Sequence, residues 1–338
     1  MPGGTAVRVA FVGTGGIAHR HLQSLRELGT ERARIVSFCD IDLPRAQRAA
    51  QEYGATAYAD FQEMLAREQG LDAVFICTPP FVRAEPIAAA AARGLAIFCE
   101  KPPAFDAAQG RTALEAIRRA GVVNNVGFMY RWLAPVDRAR ELLRDRRVAA
   151  VRSVFLCGPA IEHNLPGWFL LQDRSGGPLL DQGIHVLDLQ RYFAGEVGSV
   201  HAGANTLFNQ RTPEFTIQET YALELNYTCG AVATHLHSWA CTAAIGQLEV
   251  VSDRARLTVD VMNNRLEGVV DGTPVQEGFS RDPYLREVDQ FLTAVTERNP
   301  GLMRSTYADA LETCAVAWAG LRSADLGQPQ VPERFSAR

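Results

Sequence analysis

Residues 7–21, VRVAFVGTGGIAHRH, leave this chain few folds to choose from. The apolar run Val7–Val12 stops at Gly13, and the turn Gly13-Thr14-Gly15-Gly16-Ile17-Ala18 passes into a helical spacing through Ile17, Leu22, Leu25 and Leu28. A buried strand, a tight turn and a glycine-rich helix start aim backbone N–H groups, and the positive end of the helix dipole, at an anion. The spacing G-x-G-x-x-A is the dinucleotide-binding fingerprint in its Ala-terminated form. Gly13 makes the turn, Gly15 clears room for a pyrophosphate, and Ala18 lets the helix pack close to the strand. A second apolar run at residues 35–39 ends at Asp40, where an acid accepts hydrogen bonds from adenosine ribose hydroxyls and repels a 2′-phosphate. The competing reading is a nucleotide-free αβ unit in which Asp40 merely precedes the helix start Asp42-Leu43-Pro44.

The alternation continues for another eighty residues or so. Apolar runs at 72–77 and 96–99 break at Thr78-Pro79-Pro80 and at Glu100-Lys101-Pro102-Pro103, with helical patterns at 45–53, 61–68, 85–93 and 107–119 and a last strand at 122–126. Near-continuous apolar strands belong to a parallel sheet covered on both faces. Ligands of such doubly wound sheets lie outside the strands' carboxyl ends. The glycine turn, Asp40, Thr78, Pro79, Glu100 and Lys101 all fall at that edge. The second half reads differently: a helix at 136–145, a segment at 149–156, an irregular stretch at 157–178 and a helix at 180–193. Six strand patterns follow without helices between them, at 202–208, 217–226, 231–239, 247–251, 255–259 and 264–270, which predicts an antiparallel meander. Helices at 283–298 and 306–326 close the chain. The expected architecture is α/β, with a nucleotide-binding domain over 1–126 and an α+β domain over 127–338 built on one large, mainly antiparallel sheet. The C-terminal helix is a candidate to pack back on the first domain.

Composition narrows the partners. With 338 residues, 47% hydrophobic and 21% charged, and a net charge of −4, the chain gives no reason to expect nucleic acid or an anionic membrane surface. It has no apolar run of membrane-spanning length, and the first strand starts too early for a signal peptide, so a cytoplasmic protein is expected. Seven scattered cysteines without a CxxC pair predict neither a disulfide framework nor a metal site.

Two places carry reactive chemistry. Lys101 follows a buried strand, and Pro102-Pro103 stiffen its loop; a lysine there serves as base or hydrogen-bond donor, against the plainer reading of a surface lysine paired with Glu100. In the run 176–188, Asp181, His185 and Asp188 fall at i, i+4 and i+7 on one helical stripe, beside an apolar stripe of Leu180, Ile184 and Leu187. A carboxylate one turn from an imidazole orients it for proton transfer near neutral pH. The plainer reading is a helix face that pairs locally, and a metal reading lacks a well-spaced third ligand. His235 and His237 read as sheet-face residues.

Five motifs in order now carry a family resemblance: Gly13-Thr-Gly-Gly-Ile-Ala18, Ala73-Val-Phe-Ile-Cys-Thr-Pro79, Glu100-Lys101-Pro102, Gly127-Phe-Met-Tyr-Arg131 and Gly177-Pro-Leu-Leu-Asp-Gln-Gly-Ile-His-Val-Leu-Asp188. Together they resemble the Gfo/Idh/MocA family, over nearly the whole chain. The resemblance implies a Rossmann domain, a nicotinamide cofactor and oxidoreduction of a sugar, cyclitol or related polyol. It implies that Lys101 assists proton transfer and binds the substrate hydroxyl. Asp181 and His185 match the pair whose histidine is the acid/base, and Arg131 matches a substrate- or cofactor-side arginine. It also implies a homodimer or homotetramer. Asp40 favours NAD, while Arg45 and Arg48 keep NADP open. The chain departs from the family in having Arg83 where a histidine is frequent, and Pro103 after the Glu-Lys-Pro motif. The 157–175 loop, with Glu162, His163, Trp168, Asp173 and Arg174, is where substrate choice is expected; Trp168 stacks on a sugar ring or anchors the loop. Two other readings keep the fold: a dinucleotide-sensing regulator or scaffold without turnover, and an enzyme that uses bound NAD transiently for elimination or glycoside cleavage.

Overall fold

The computed structural model describes residues 6–158, 162 and 166–335, which divide into two compact units. One comprises Met1–Met129 with Asp282–Ala310, the other Tyr130–Arg281 with Leu311–Arg338. The division is not a single cut, since a segment late in the sequence belongs to the first unit.

In the first unit strands and helices alternate: β1 (Val7–Val12), α1 (Gly16–Leu28), β2 (Ala33–Cys39), α2 (Leu43–Tyr53), β3 (Thr56–Tyr58), α3 (Phe61–Arg67), β4 (Ala73–Ile76), α4 (Ala84–Ala92), β5 (Ala96–Cys99), α5 (Ala107–Ala120) and β6 (Asn124–Val126). The six strands are parallel, in the order β3-β2-β1-β4-β5-β6. One phenylalanine per strand sets the register across the middle. Phe38, Phe11, Phe75 and Phe98 lie opposite one another, and their rings stack at 5.6, 4.9 and 4.8 Å. Each such pair adds about 0.5–1.5 kcal/mol beyond the area it buries. The returning helix Pro283–Glu297 closes this face, with Phe291 edge-on to Phe75 and Phe98. Helix starts follow local chemistry: Asp42, Asp60, Asp106 and Asp282 each accept a backbone N–H of the first turn.

The second unit holds α6 (Ala134–Leu142), β7 (Val148–Leu156), α7 (Gln172–Ser175), α8 (Ile184–Ala194), β8 (Val197–Asn205), β9 (Thr220–Tyr227), β10 (Val232–Ser238), β11 (Ile245–Ser252), β12 (Ala255–Asp260), β13 (Arg265–Val270) and β14 (Thr273–Gly278). The returning helix is α9, and α10 (Tyr307–Leu326) ends the helical series. The sheet order, β14-β13-β12-β11-β7-β10-β9-β8, corrects the simple meander. β7, made before the others, sits between β10 and β11, parallel to the first and antiparallel to the second. β10 and β11 therefore cannot form a hairpin. β14 is not legible in the sequence because its residues Thr273–Gly278 bury almost nothing. The helix expected at 180–193 is also not uniform: Leu179–Gly183 form a π-helical turn before α8 begins. Among the described residues no helix is long and apolar enough to cross a membrane, no cluster of three or more His, Cys, Asp or Glu could hold a metal, and the seven cysteines form no disulfide.

On β10, Val232, Thr234 and Leu236 face outward while Ala233, His235 and His237 are buried. His235 Nδ1 meets Ser153 Oγ at 2.8 Å, and burial pushes its pKa down to about 4. Burial, then the fields of His235 and His185, hold His237 well below the ordinary range. Both are neutral in the fold and protonate when it opens. The unfolded chain thus binds more protons between about pH 6.5 and 4, so stability must rise with pH through that window and fall on acidification. Thermal unfolding at about pH 7.5 and about pH 5 should show a lower midpoint in acid. The double variant His235→Gln/His237→Phe should flatten that dependence; an unchanged slope would assign it to other groups.

Candidate active site

In the first unit the site is built where β1 meets α1. Gly13 has φ +90°, and a Cβ there would lie 2.8 Å from the Cys77 carbonyl carbon, so only glycine lets the turn rest on the end of β4. At Gly15 and Gly16 the same construction meets nothing within 4 Å. Ala18 lies on the fully buried face of α1, and Ile17 packs partly on the core. The N-cap of α1 is Gly15, which has no side chain with which to cap the first turn. Beside it, Thr78 Oγ1 is buried with no hydrogen-bond partner among the described residues, and Pro79 follows as the strand end turns. An uncapped helix start, an open glycine cradle and an orphaned hydroxyl fit the diphosphate and ribose of a dinucleotide.

Asp40 is held more tightly than its expected role requires. Its Oδ2 accepts from Thr14 N at 2.9 Å and Thr14 Oγ1 at 2.8 Å, and its Oδ1 accepts from Asp42 N at 3.0 Å. Arg45 Nη1 stands 3.8 Å away. A carboxylate offers about four acceptor positions, so one remains for a ribose hydroxyl, in a fixed direction.

Glu100, expected at the cofactor, has its carboxylate engaged within the chain. Its carboxylate is buried, with Oε1 2.7 Å from His21 Nε2, while Oε2 accepts the Lys101 backbone N–H at 3.0 Å. Burial alone would raise its pKa. The hydrogen bond from His21, with the fields of His21, Lys101 and Arg83, outweighs burial and holds the carboxyl below its ordinary value. Gly127 leaves the room: a Cβ there would come within 2.7 Å of Glu100 Oε1. Arg83, the departure from the family pattern, is buried and clamps three carbonyls. Its Nε donates to Thr78 O at 2.8 Å, and its Nη1 donates to Glu100 O at 2.5 Å and to Pro102 O. One guanidinium thus ties the Thr78 strand end to the Lys101 loop. The Lys101–Pro102 peptide is cis.

In the second unit, Asp181 lies in the π turn and is half-buried, and His185, in the first turn of α8, is almost wholly buried with its ring 5.1 Å from that of Tyr130. Burial pushes the Tyr130 phenol up to about 12, so it stays protonated beside His185. Gln182 anchors the turn: its Oε1 accepts from Trp239 Nε1 at 2.6 Å and from the Cys157 thiol at 3.2 Å. Asp188 does not extend the reactive stripe. It is fully buried and takes a two-pronged bond from Arg131, Nε to Oδ2 at 2.7 Å and Nη2 to Oδ1 at 2.6 Å, with Thr313 Oγ1 donating at 3.0 Å. Arg131 is only 3% exposed, and Tyr192 lies under its guanidinium at 4.6 Å. Expected on the substrate or cofactor side, it is bound to Asp188 and braces α8. Trp168 is half-buried in the turn Gly167–Leu170, stacked on Phe169 at 3.9 Å; Phe169 and Leu170 pack on Phe215, Ile217 and Trp239. His163 lies outside the described residues.

Composition holds a signal that the motifs do not. Lysine and arginine together number 34, yet Lys101 is the only lysine in the chain. A chain that meets nearly every need for a cation with arginine keeps a side-chain amine at one place, where a group able to release a proton is useful. His21 has no signal in the sequence beyond its position in the second turn of α1.

Known proteins resemble this chain in sequence and fold. The model of an oxidoreductase family with an NAD-binding Rossmann fold, GFO_IDH_MocA, matches residues 7–128, and that of the GFO/IDH/MocA C-terminal domain matches residues 136–258. The oxidoreductase YrbE of Bacillus subtilis strain 168 is 30% identical over 335 residues, 94% of each chain. D-glucoside 3-dehydrogenase of Escherichia coli K12 is 32% identical over 207 residues, a match spanning 58% of this chain and 57% of that protein. Inositol 2-dehydrogenase of Rhizobium meliloti strain 1021 is 27% identical over 331 residues, 94% of this chain and 96% of that one. The fold is shared with levoglucosan dehydrogenase in complex with NADH, at a TM-score of 0.88 and 19% identity over 98% of this chain and 100% of that one.

Proposed function

Because the chain belongs to the Gfo/Idh/MocA oxidoreductases, with an NAD-binding Rossmann domain, we propose that it moves hydride between a nicotinamide dinucleotide and a secondary alcohol or ketone of a sugar, cyclitol or related polyol. The observation that carries this reading is Lys101: the chain's one lysine, at the carboxyl edge of the parallel sheet, in a loop tied by Arg83 to the strand end that bears the orphaned Thr78 hydroxyl. Relatives named for glucosides and for inositol support the substrate class. When bound, the nicotinamide supplies the hydride acceptor. This chain's residues manage the proton. His185 takes it from the hydroxyl as general base, Asp181 holds the imidazole in orientation, and Lys101 donates a hydrogen bond to the hydroxyl oxygen and steadies its developing negative charge. Trp168 offers a ring face to the sugar.

The outward face of the β8–β14 sheet exposes Val232, Leu236, Val251 and Val269, which supports burial against a second copy in a homodimer or homotetramer. We take the protein to act in the cytoplasm.

The test is to incubate the protein with NAD or NADP and a panel of sugars, glycosides and inositols while following absorbance of the reduced cofactor. Turnover of at least one polyol is expected, with NAD preferred about tenfold or more in kcat/KM, because a 2′-phosphate beside Asp40 meets a like charge. Asp40→Ser should narrow that preference. Product formed without net change in the cofactor would replace this reading by elimination or glycoside cleavage. Tight cofactor binding with no product would leave a regulator.

A further inference from the structure

His235, His237 and Trp239 stand at alternate positions along β10 and just past its end, and each meets the stretch that bears the reactive groups of the second unit. Trp239 Nε1 donates to Gln182 Oε1 at 2.6 Å. His235 Nδ1 meets Ser153 Oγ at 2.8 Å, and that hydroxyl accepts from Gln190 Nε2 of α8 at 2.7 Å. Between them, His237 lies against the π turn: a Cβ on Gly183 would come 3.3 Å from His237 Nδ1 and 3.2 Å from Leu179 Cδ1. Gly183 has an ordinary helical backbone, φ −56° and ψ −29°, where glycine is a poor choice, so what its missing side chain supplies is room for that ring.

His237 differs from the other two in making no hydrogen bond. Its ring is fully buried and stacked on Phe155 at 5.5 Å with 7° between the planes, and neither nitrogen has a partner among the described residues. Orphaned polar atoms cost stability, and an apolar side chain of the same volume would fill the slot without that cost. The ring also lies within electrostatic reach of His185, two residues on from Gly183. Other groups around the pair are committed. Burial pushes the Tyr130 phenol to about 12 and the Cys157 thiol to about 11, so both keep their protons; His235 is neutral, and Asp188 is bound to Arg131. Asp181, in the π turn, is the carboxylate of this cluster.

We propose that His237 is a positioning residue for the acid/base histidine: it seats the π turn at Gly183, and its uncommitted ring nitrogens answer the charge that His185 gains on taking a proton from the hydroxyl. A neutral imidazole has one donor and one acceptor. With neither engaged, it can flip or change tautomer to set its lone pair toward an imidazolium. A hydrocarbon side chain offers no such partner, so the charged form of His185 would be less favoured beside it. The inference rests on the general-base role given to His185 above.

The titration of His185 tests this without a substrate. With the seven histidines labelled at ring Cε1, and the His185 signal identified by its loss in His185→Gln, NMR follows each midpoint in the full chain. His237→Leu is close in volume and should unfold at denaturant no lower than the wild type at about pH 7.5, while the His185 midpoint falls by about 0.5 or more. His237→Gln keeps a donor and an acceptor and should bring that midpoint back to within about 0.2 of the wild type. With a polyol that the wild type oxidises, kcat of His237→Leu at neutral pH should drop about fivefold or more, with its pH profile moving with the titration and KM changing less. An unmoved His185 midpoint in His237→Leu overturns the proposal. A markedly less stable His237→Leu protein does so too, by making the ring a packing element, as does a folded His237→Gln protein that titrates like His237→Leu. If no polyol is oxidised by the wild type, the functional reading fails, and the midpoints still decide whether His237 acts on His185.

Discussion

Lys101→Arg should lose as much turnover as Lys101→Ala, about 10²–10⁴-fold, with dinucleotide affinity retained. Arginine keeps the positive charge at this position, and everywhere else in the chain it is the residue used for that purpose. A guanidinium, however, holds its proton at any accessible pH and presents a broad planar fork in place of a compact ammonium. It cannot share in proton transfer. His185→Ala should fall in the same range. The double variant Lys101→Ala/His185→Ala should be little slower than the poorer single variant, because groups serving one proton transfer are not additive. Steady-state rates with the polyol found by screening, beside NADH fluorescence titrations, make the measurement. A Lys101→Arg protein that keeps a tenth or more of wild-type turnover would reduce the lysine to a positive charge.

The parallel sheet is legible in the sequence because its signals are local. Short apolar runs, aspartate caps and glycine stops each act within one or two turns of chain, and β1, β2, β4, β5 and β6 fall where those signals put them, while the three-residue β3 has no apolar run to mark it. In the second sheet β8 to β13 are legible from alternation, while β14 and the order of the strands are not. The insertion of β7 between β10 and β11 pairs residues far apart in the chain, Val151 with Ala233 and with Val250, and no periodicity records it. The same limit applies to the site. Asp181, His185 and Asp188 share a helical spacing, yet a π turn and a distant arginine separate their roles. Asp40 stands at the end of β2 as expected, while its bonds to Thr14 exist only once the glycine turn has folded. His21 meets Glu100 across most of a domain's worth of sequence.

Arg131 and Asp188 provide the sharpest test of that separation, because the two readings of Arg131 predict opposite things. If the arginine binds substrate, Arg131→Met should raise KM and leave the fold intact. If it is the strut that the geometry describes, removing either partner breaks a buried ion pair. Asp188→Asn takes the carboxylate charge from the Arg131 guanidinium, which also lies over Tyr192; Arg131→Met takes the guanidinium from Asp188, whose Oδ1 also accepts from Thr313 Oγ1 at 3.0 Å. Breaking a buried pair in this way costs about 3–5 kcal/mol. Both variants should therefore unfold at clearly lower denaturant than the wild type, and by similar amounts. Thr313 also accepts from Arg191 Nη1 at 2.7 Å, so the loss should spread to that arginine and loosen α8 along its length. His185 sits one turn before Asp188 on the same helix, so the folded fraction of each variant should also lose kcat. The double variant Arg131→Met/Asp188→Leu removes both charges and fills the space with apolar groups. It should recover much of the stability, since a well-packed apolar pair can match a buried ion pair. Equilibrium denaturation of the wild type and the three variants gives the coupling energy directly. Single variants as stable as the wild type, with KM raised and kcat intact, would return Arg131 to the substrate.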